Sequence, residues 1–405
     1  MSALSGFRDL IKYILKTFEI YNMLKTHQID PVFHTNNNRT EFKLRGKVIL
    51  SDLRLSDLHS TSPDVNSQYI FNGGALNLIK TLTLTSHGQT VDTVREFSKW
   101  AGFKNLNRTT ESMSDISKYL NGSKLSLDTT EEFFVINDDR KSNAIRGSAN
   151  LNSLMPYLSA TNTLCFDDLI LTIEWNTSPA EVFVQGNRPA NFTVSYPTLI
   201  YDEYLGPDAD DRVKEWRKTP VLFNGVENDL VSIGAVAAGA TQTFDGRIRA
   251  FDSKFLRNVV LMTDNTTGNS LLGHVRSTAM FNEKWNLRVN GVSLLPFNGI
   301  ENPNTKLATM DDWGNFFCFM NGQYLQPHTS VGGNEIDEMS GQLSYLSLKV
   351  DNVINQLDLV YQRSGNIAAS SGVFREATNV YVFGLVGRFV QFKNGRLFTG
   401  MLNNF

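Results

Sequence analysis

From residue 41 onward, apolar and polar residues alternate over many short stretches, the pattern of strands with one buried and one wet face. The clearest case starts at Leu76: Leu76, Leu78, Leu82 and Leu84 share one parity, and Thr81, Thr83 and Thr85 the other. His87-Gly88 then turns the chain. Thr93 and Glu96 have capping-box spacing, and Val94, Phe97, Trp100 and Ala101 follow at helical intervals, which predicts a short aromatic helix reaching Phe103.

Further strands are expected at 41–55, 126–136, 169–175 (Leu169, Leu171, Ile173 and Trp175 on one face) and 192–196. In the second half Phe244 to Ala250, Trp285 to Val289 and Leu357 to Tyr361 alternate in the same way. Asn290-Gly291 and Asn394-Gly395 are two-residue hairpin signals. Many short strands between polar turns, with few helices, predict sandwiches, and the long intervening loops suit Greek-key crossovers.

One segment is different. Over residues 5–25, Phe7, Leu10, Ile11, Ile14, Leu15, Phe18 and Tyr21 repeat at three and four, which predicts an amphipathic helix. Arg8, Lys12, Lys16 and Lys25 outnumber Asp9 and Glu19 on its polar side, so the helix either docks on protein or lies in a membrane interface. Residues 29–40, with Pro31 and the run Asn36 to Asn38, read as a linker. A second break falls at 206–220, GPDADDRVKEWRKTP, where charge dominates between Gly-Pro and Thr-Pro. The resulting division is an N-terminal helix and linker (1–40), a first sandwich (41–206), an inter-domain linker (207–220) and a second sandwich (221–405). Trp100-Ala-Gly-Phe103 and Trp313-Gly-Asn-Phe316, each in a capped helix after a strand and a glycine turn, suggest that the halves are copies of one module.

Composition agrees with a folded, mostly β protein: 41% apolar and 20% charged residues, with 27 Phe and 12 Tyr among 405. The formal charge of -3 and the absence of a basic arm argue against a sequence-specific nucleic-acid binder. Arg247, Arg249, Lys254 and Arg257 are interspersed with acids and make a weak footprint for one. Cys165 and Cys318 sit in apolar contexts and read as buried thiols of a chain folded in a reducing cytoplasm. No leader pattern and no apolar run long enough to span a bilayer is present, which predicts a chain made in soluble form.

The search for chemistry gives little. No nucleophile elbow, phosphate loop or zinc-protease motif occurs, and His34 and His59 are isolated, so no catalytic, cofactor or metal residues are expected. Asp208, Asp210 and Asp211 invite a calcium reading, but Arg212 and Val213 stand where a ligand and a turn glycine belong. A glycoside hydrolase would need two facing carboxylates, for which Glu174 with Asp202 and Glu203 could be nominated; each reads equally well as a polar strand position. A carbohydrate-binding or spike module would instead need an aromatic platform at its loop tips.

The segment NLIKTLTLTSHGQTVD with its aromatic helix, LILTIEW at 169–175, YPTLIYDEYL at 196–205, WNLRVNGVSLLPFNGI and GQLSYLSLKVDNVINQLDLVYQRSG together resemble double jelly-roll major capsid proteins of the adenovirus and tailless lipid-containing phage lineage. The single glycine at His87-Gly88 departs from the Gly-Gly of large-virus relatives. The resemblance implies two tandem eight-stranded jelly-roll sandwiches with short helices in loops. It also implies a non-enzymatic homotrimer, a pseudo-hexagonal capsomer of an icosahedral shell over an internal lipid membrane. Neighbouring capsomers, penton and minor capsid proteins would be its partners and the virion its location. Phe7, Arg8, Leu10, Ile11, Lys12, Ile14, Leu15, Lys16 and Phe18 would then touch the membrane or a neighbouring capsomer.

Overall fold

The computed structural model describes residues 23–35, 38–61, 69–70, 73–108, 147–183, 188–234, 240–264, 284–294, 300–301, 345–364, 378–393 and 395–402. The helix residues Phe7 to Phe18, the strand expected at 126–136, the second aromatic helix around Trp313 and Cys318 lie outside the described residues.

In the first half one sheet runs β10 (Thr163–Leu164), β4 (Ile49–Leu50), β13 (Thr198–Tyr204), β5 (Arg54–Leu58) and β9 (Gly147–Asn150), and β1 (Leu24–Ile29) also pairs with β13. The facing sheet runs β2 (Phe33–Thr35), β3 (Arg39–Leu44), β11 (Leu169–Trp175), β7 (Ile79–Ser86) and β8 (Gln89–Arg95). β6 (Ser60–Thr61) and β12 (Thr193–Val194) form a separate ribbon. Helices α1 (Phe97–Arg108), α2 (Pro156–Ala160) and α3 (Pro179–Val182) sit in the connections, and α4 (Ala209–Lys218) joins the halves.

The second half repeats the plan. One sheet runs β14 (Val221–Ile233), β22 (Thr378–Lys393), β16 (Phe255–Asp264) and β20 (Tyr345–Val353), with β23 (Arg396–Met401) also on β22. The other runs β15 (Thr241–Ile248), β21 (Leu357–Ser364), β17 (Lys284–Val289) and β18 (Val292–Ser293), with β19 (Ile300–Glu301) also on β17.

Counted in chain order, the eight principal strands of the first half are β1, β3, β5, β7, β8, β9, β11 and β13. One sheet holds the first, eighth, third and sixth as neighbours, the other the second, seventh, fourth and fifth. Strands β14 to β18 and β20 to β22 give the same two orders. This is jelly-roll connectivity, present twice.

Several local expectations change. The first jelly roll begins at Leu24, upstream of residue 41: Leu24 and Lys25, read as the end of the N-terminal helix, start β1 instead. β1 pairs with β13 from Leu24↔Tyr204 to Ile29↔Leu199, and β2 and the start of β3 occupy the stretch read as a linker. Around Leu76 the chain is a buried 3-10 turn (Gly74–Leu78), and the strand starts at Ile79. The capping box at Thr93 does not form, because Thr93 is still in β8 and its hydroxyl meets that of Thr83 at 3.0 Å across the strands. Glu96, at a φ of 48°, makes the turn, and its carbonyl accepts the amides of Lys99 and Trp100 to start the helix. The segment read as a solvated linker is helical at 209–218; none of its residues is fully buried, but Ala209, Val213 and Trp216 pack against buried side chains of the first half.

The first sandwich closes over Phe42, Leu55, Leu82, Leu84, Leu171, Ile173 and Tyr201, all nearly inaccessible. This core continues into the second half. Along β22, Val380, Val382 and Val386 pack into the second sandwich, whereas Tyr381, Phe383 and Leu385 belong to the first. β16 divides likewise, Val259 and Leu261 against Val260 and Met262. The sheet around β22 is therefore a wall shared by both cores.

Candidate assembly surfaces

The polar residues singled out by the sequence are taken up by structure. Glu174 is exposed on β11, in one sheet; Asp202 and Glu203 lie on β13, in the other, so no facing carboxylate pair is assembled from them. Asp202 accepts from Thr26 at 2.5 Å and from Arg54 at 2.8 Å and so fastens β1 and β5 to β13, and Glu203 bonds His27 at 2.9 Å and fastens β1. Of the three aspartates considered for calcium, Asp208 takes Tyr204 and Arg212, Asp210 takes Lys47, and Asp211 takes Lys214. His34 meets Thr40 and His59 meets Asp57. No cluster with the makings of a metal site occurs among the described residues. Cys165 is buried and free, its thiol pushed up to about 11 by burial, which suits a packing residue and not a nucleophile. Lys254 is paired with Glu227, and Arg247 with Asp252 at 3.2 Å.

What the fold does build is an interior joint. The Trp100 ring on α1 lies 5.8 Å from Phe383, Tyr157 meets Phe223 edge-on at 5.3 Å, and Phe166 and Trp216 both pack on Phe392. Charges are buried or half-buried there too. Lys99, with a side chain only 1% exposed, reaches Glu96 at 3.0 Å and Glu181 at 3.9 Å, and its ammonium lies 4.3 Å from the centre of the Tyr381 ring. Glu227 on β14 holds Lys254 with one oxygen and Arg388 with the other, the latter at 2.7 Å. Asp92 on β8 is wholly buried and accepts the amides of Tyr157 and Thr93, each at 2.9 Å. Burial pushes its carboxyl up to about 6, against the opposing pull of the Tyr157 amide, the Arg388 charge and the Thr93 amide.

Among the described residues, two outward patches are apolar. On the first half, Val32 and Phe33 at the free edge strand β2, with Tyr196 beside His34, are 64%, 49% and 53% exposed. On the second, Leu222 and Phe398 are about half exposed, with half-buried Phe389 between them. The sequence reading missed the second patch because its Phe and Leu look like core residues. The usable signal was the Asn394-Gly395 pair in the sequence; in the fold Lys393 stands opposite Arg396, which puts Phe389 and Phe398 on one face.

Among the described residues no helix is long and apolar enough to cross a membrane. No protein-family model matches the chain, and neither does any curated protein. Solved structures do. PBCV-1 VP54, as a crystal structure fitted into a cryo-EM reconstruction of the virophage Sputnik, superposes with a TM-score of 0.57 at 10% identity, over 94% of this chain and 97% of that one. The PBCV-1 virus capsid, as a quasi-atomic model, gives 0.54 at 10% identity over 94% and 97%. The Sputnik virophage at 3.5 Å by cryo-EM gives 0.53 at 10% identity over 93% and 88%. The likeness is one of fold: this chain has the double jelly-roll fold of viral major capsid proteins.

Proposed function

We propose that the chain is a structural, non-enzymatic major capsid protein. Three copies form a capsomer whose six sandwiches give a pseudo-hexagonal outline, and capsomers tile an icosahedral virion shell together with penton and minor capsid proteins. The observation that carries the reading is the near-complete two-way superposition on virus capsid subunits, 94% of this chain on 97% of VP54. Repetition of one strand order in both halves supports it, since a pseudo-hexagonal tile from three chains needs two similar sides per chain. Sedimentation velocity on the purified full chain tests the proposal: a trimer is expected, and a monomer across a range of salt and protein concentration overturns it.

The shell would cover an internal lipid membrane, and the stripe Phe7, Leu10, Ile11, Ile14, Leu15 and Phe18, with Arg8, Lys12 and Lys16 beside it, would meet that membrane or an adjacent capsomer. Co-sedimentation with vesicles containing anionic lipid distinguishes the two. Binding should fall at least about tenfold when residues 1–22 are removed, for loss of that apolar and basic face; equal binding removes the membrane from the proposal.

A further inference from the structure

We propose that copies of this chain associate head to tail, the outer face of the β22–β23 hairpin of one copy docking on the Asp30–Phe33 edge of the next. The inference rests on the capsid reading and names the surfaces that would join its subunits. It starts from strand parity. In β22 and β23, Val390, Phe392 and Leu397 turn inward onto the first core, so Phe389, Gln391, Lys393, Arg396 and Phe398 share the opposite face. Leu222 joins them by pairing with Phe389, and the Phe389 ring lies over Gly400, the space a side chain would fill there. The result is an apolar strip across three adjacent strands, open to solvent.

Beside that strip, Lys393 and Arg396 stand directly opposite each other across the hairpin, both exposed. Like charges in directly opposed strand positions repel. Neither makes an ion pair among the described residues. An apolar strip ending in two cations that have no ion pair among the described residues calls for an apolar surface that ends in an anion.

The first half carries such a surface. Asp30 is exposed and without an ion pair among the described residues, and it is followed by Pro31, exposed Val32 and exposed Phe33 on the free edge strand β2, with Tyr196 alongside. The two patches also lie on different flanks. β2 and β8 are the opposite edges of one five-stranded sheet, and it is β8 that touches β14 and β23 of the same chain. Because the patches differ, their contact is heterologous, and a heterologous contact repeated with closure makes a ring.

The test is sedimentation velocity on the full chain and three variants, with circular dichroism to verify folding. Lys393→Glu with Arg396→Glu, and separately Asp30→Lys, should each raise the concentration for half-assembly at least about tenfold. Combining all three substitutions should restore assembly, which a misfolded hairpin would not do. Variants that assemble like the parent, or a triple variant that is not rescued, overturn this contact and leave the capsid reading standing. A parent chain that stays monomeric overturns both.

Discussion

The sheet β3-β11-β7-β8 of the first half and the sheet β14-β22-β16-β20 of the second occupy unlike positions in the molecule. In the first, Leu82 and Leu84 face the core while Thr81, Thr83 and Thr85 face outward, half-buried. In the second, successive residues from Val380 to Leu385 are all buried, alternately in one core and the other. One sheet is a boundary with solvent; the other is a partition. A partition couples the two compartments it divides, so the jelly rolls, though built on one plan, are not independent folding units.

The sharpest challenge to that contrast is Phe383→Ala. Removing a buried ring that touches Trp100 should cost about 3–5 kcal/mol, seen as a lower urea midpoint, and the loss should appear in one transition reporting on both halves. Two separated transitions, with only the second half weakened, would break the partition account. A subtler effect concerns Asp92, at the joint between the sheets. Its carboxyl is held at about 6 when folded, above the ordinary value of roughly 3.9 expected unfolded. Between those values the folded chain keeps a proton that the unfolded chain has lost. The Asp92 contribution to stability is therefore fully present below about pH 4, declines as pH rises to about 6, and is flat above, a change of up to about 3 kcal/mol. Urea midpoints from pH 4 to 7 should show this slope in the parent and not in Asp92→Asn. At the small end, Thr83→Ala on the boundary sheet should shift stability by no more than about 0.5 kcal/mol, since its hydroxyl is lost only from a half-buried pair with Thr93. A cost above about 2 kcal/mol would show that this face, too, is covered.

The same contrast explains which elements were legible in the sequence. Strands of the boundary type announce themselves by alternation, and β7, β11, β17 and β21 lie close to where the pattern puts them. Those of the partition do not alternate, so the first part of β22 and most of β16 carry no period-two signal. β14 is hidden for another reason. Glu227, Asn228 and Asp229 put three polar residues in mid-strand; in the fold Glu227 is held by Lys254 and Arg388, and Asp229 accepts the amides of Arg249 and Ala250 at 2.8 and 3.1 Å. Those partners are 20 to 161 residues away, beyond the reach of any local pattern. Hairpins were easier: Asn290 and Gly291 have φ values of 51° and 84°, the left-handed geometry that Asn-Gly accepts at little cost. The outward patches were harder to see: a turn signal groups Phe389 with Phe398 on one face, but the exposure of Leu222 or Phe398 depends on which strands lie beside them.

The course of β22 has a mechanical meaning. Its 16 residues run unbroken from the second sandwich to the edge of the first, bonded to β14 from Thr378 to Val390. Pulled lengthwise, such a strand loads its rungs of hydrogen bonds all at once, in shear, instead of peeling them one by one. Tension applied between the two halves would thus be carried along a single stiff rod.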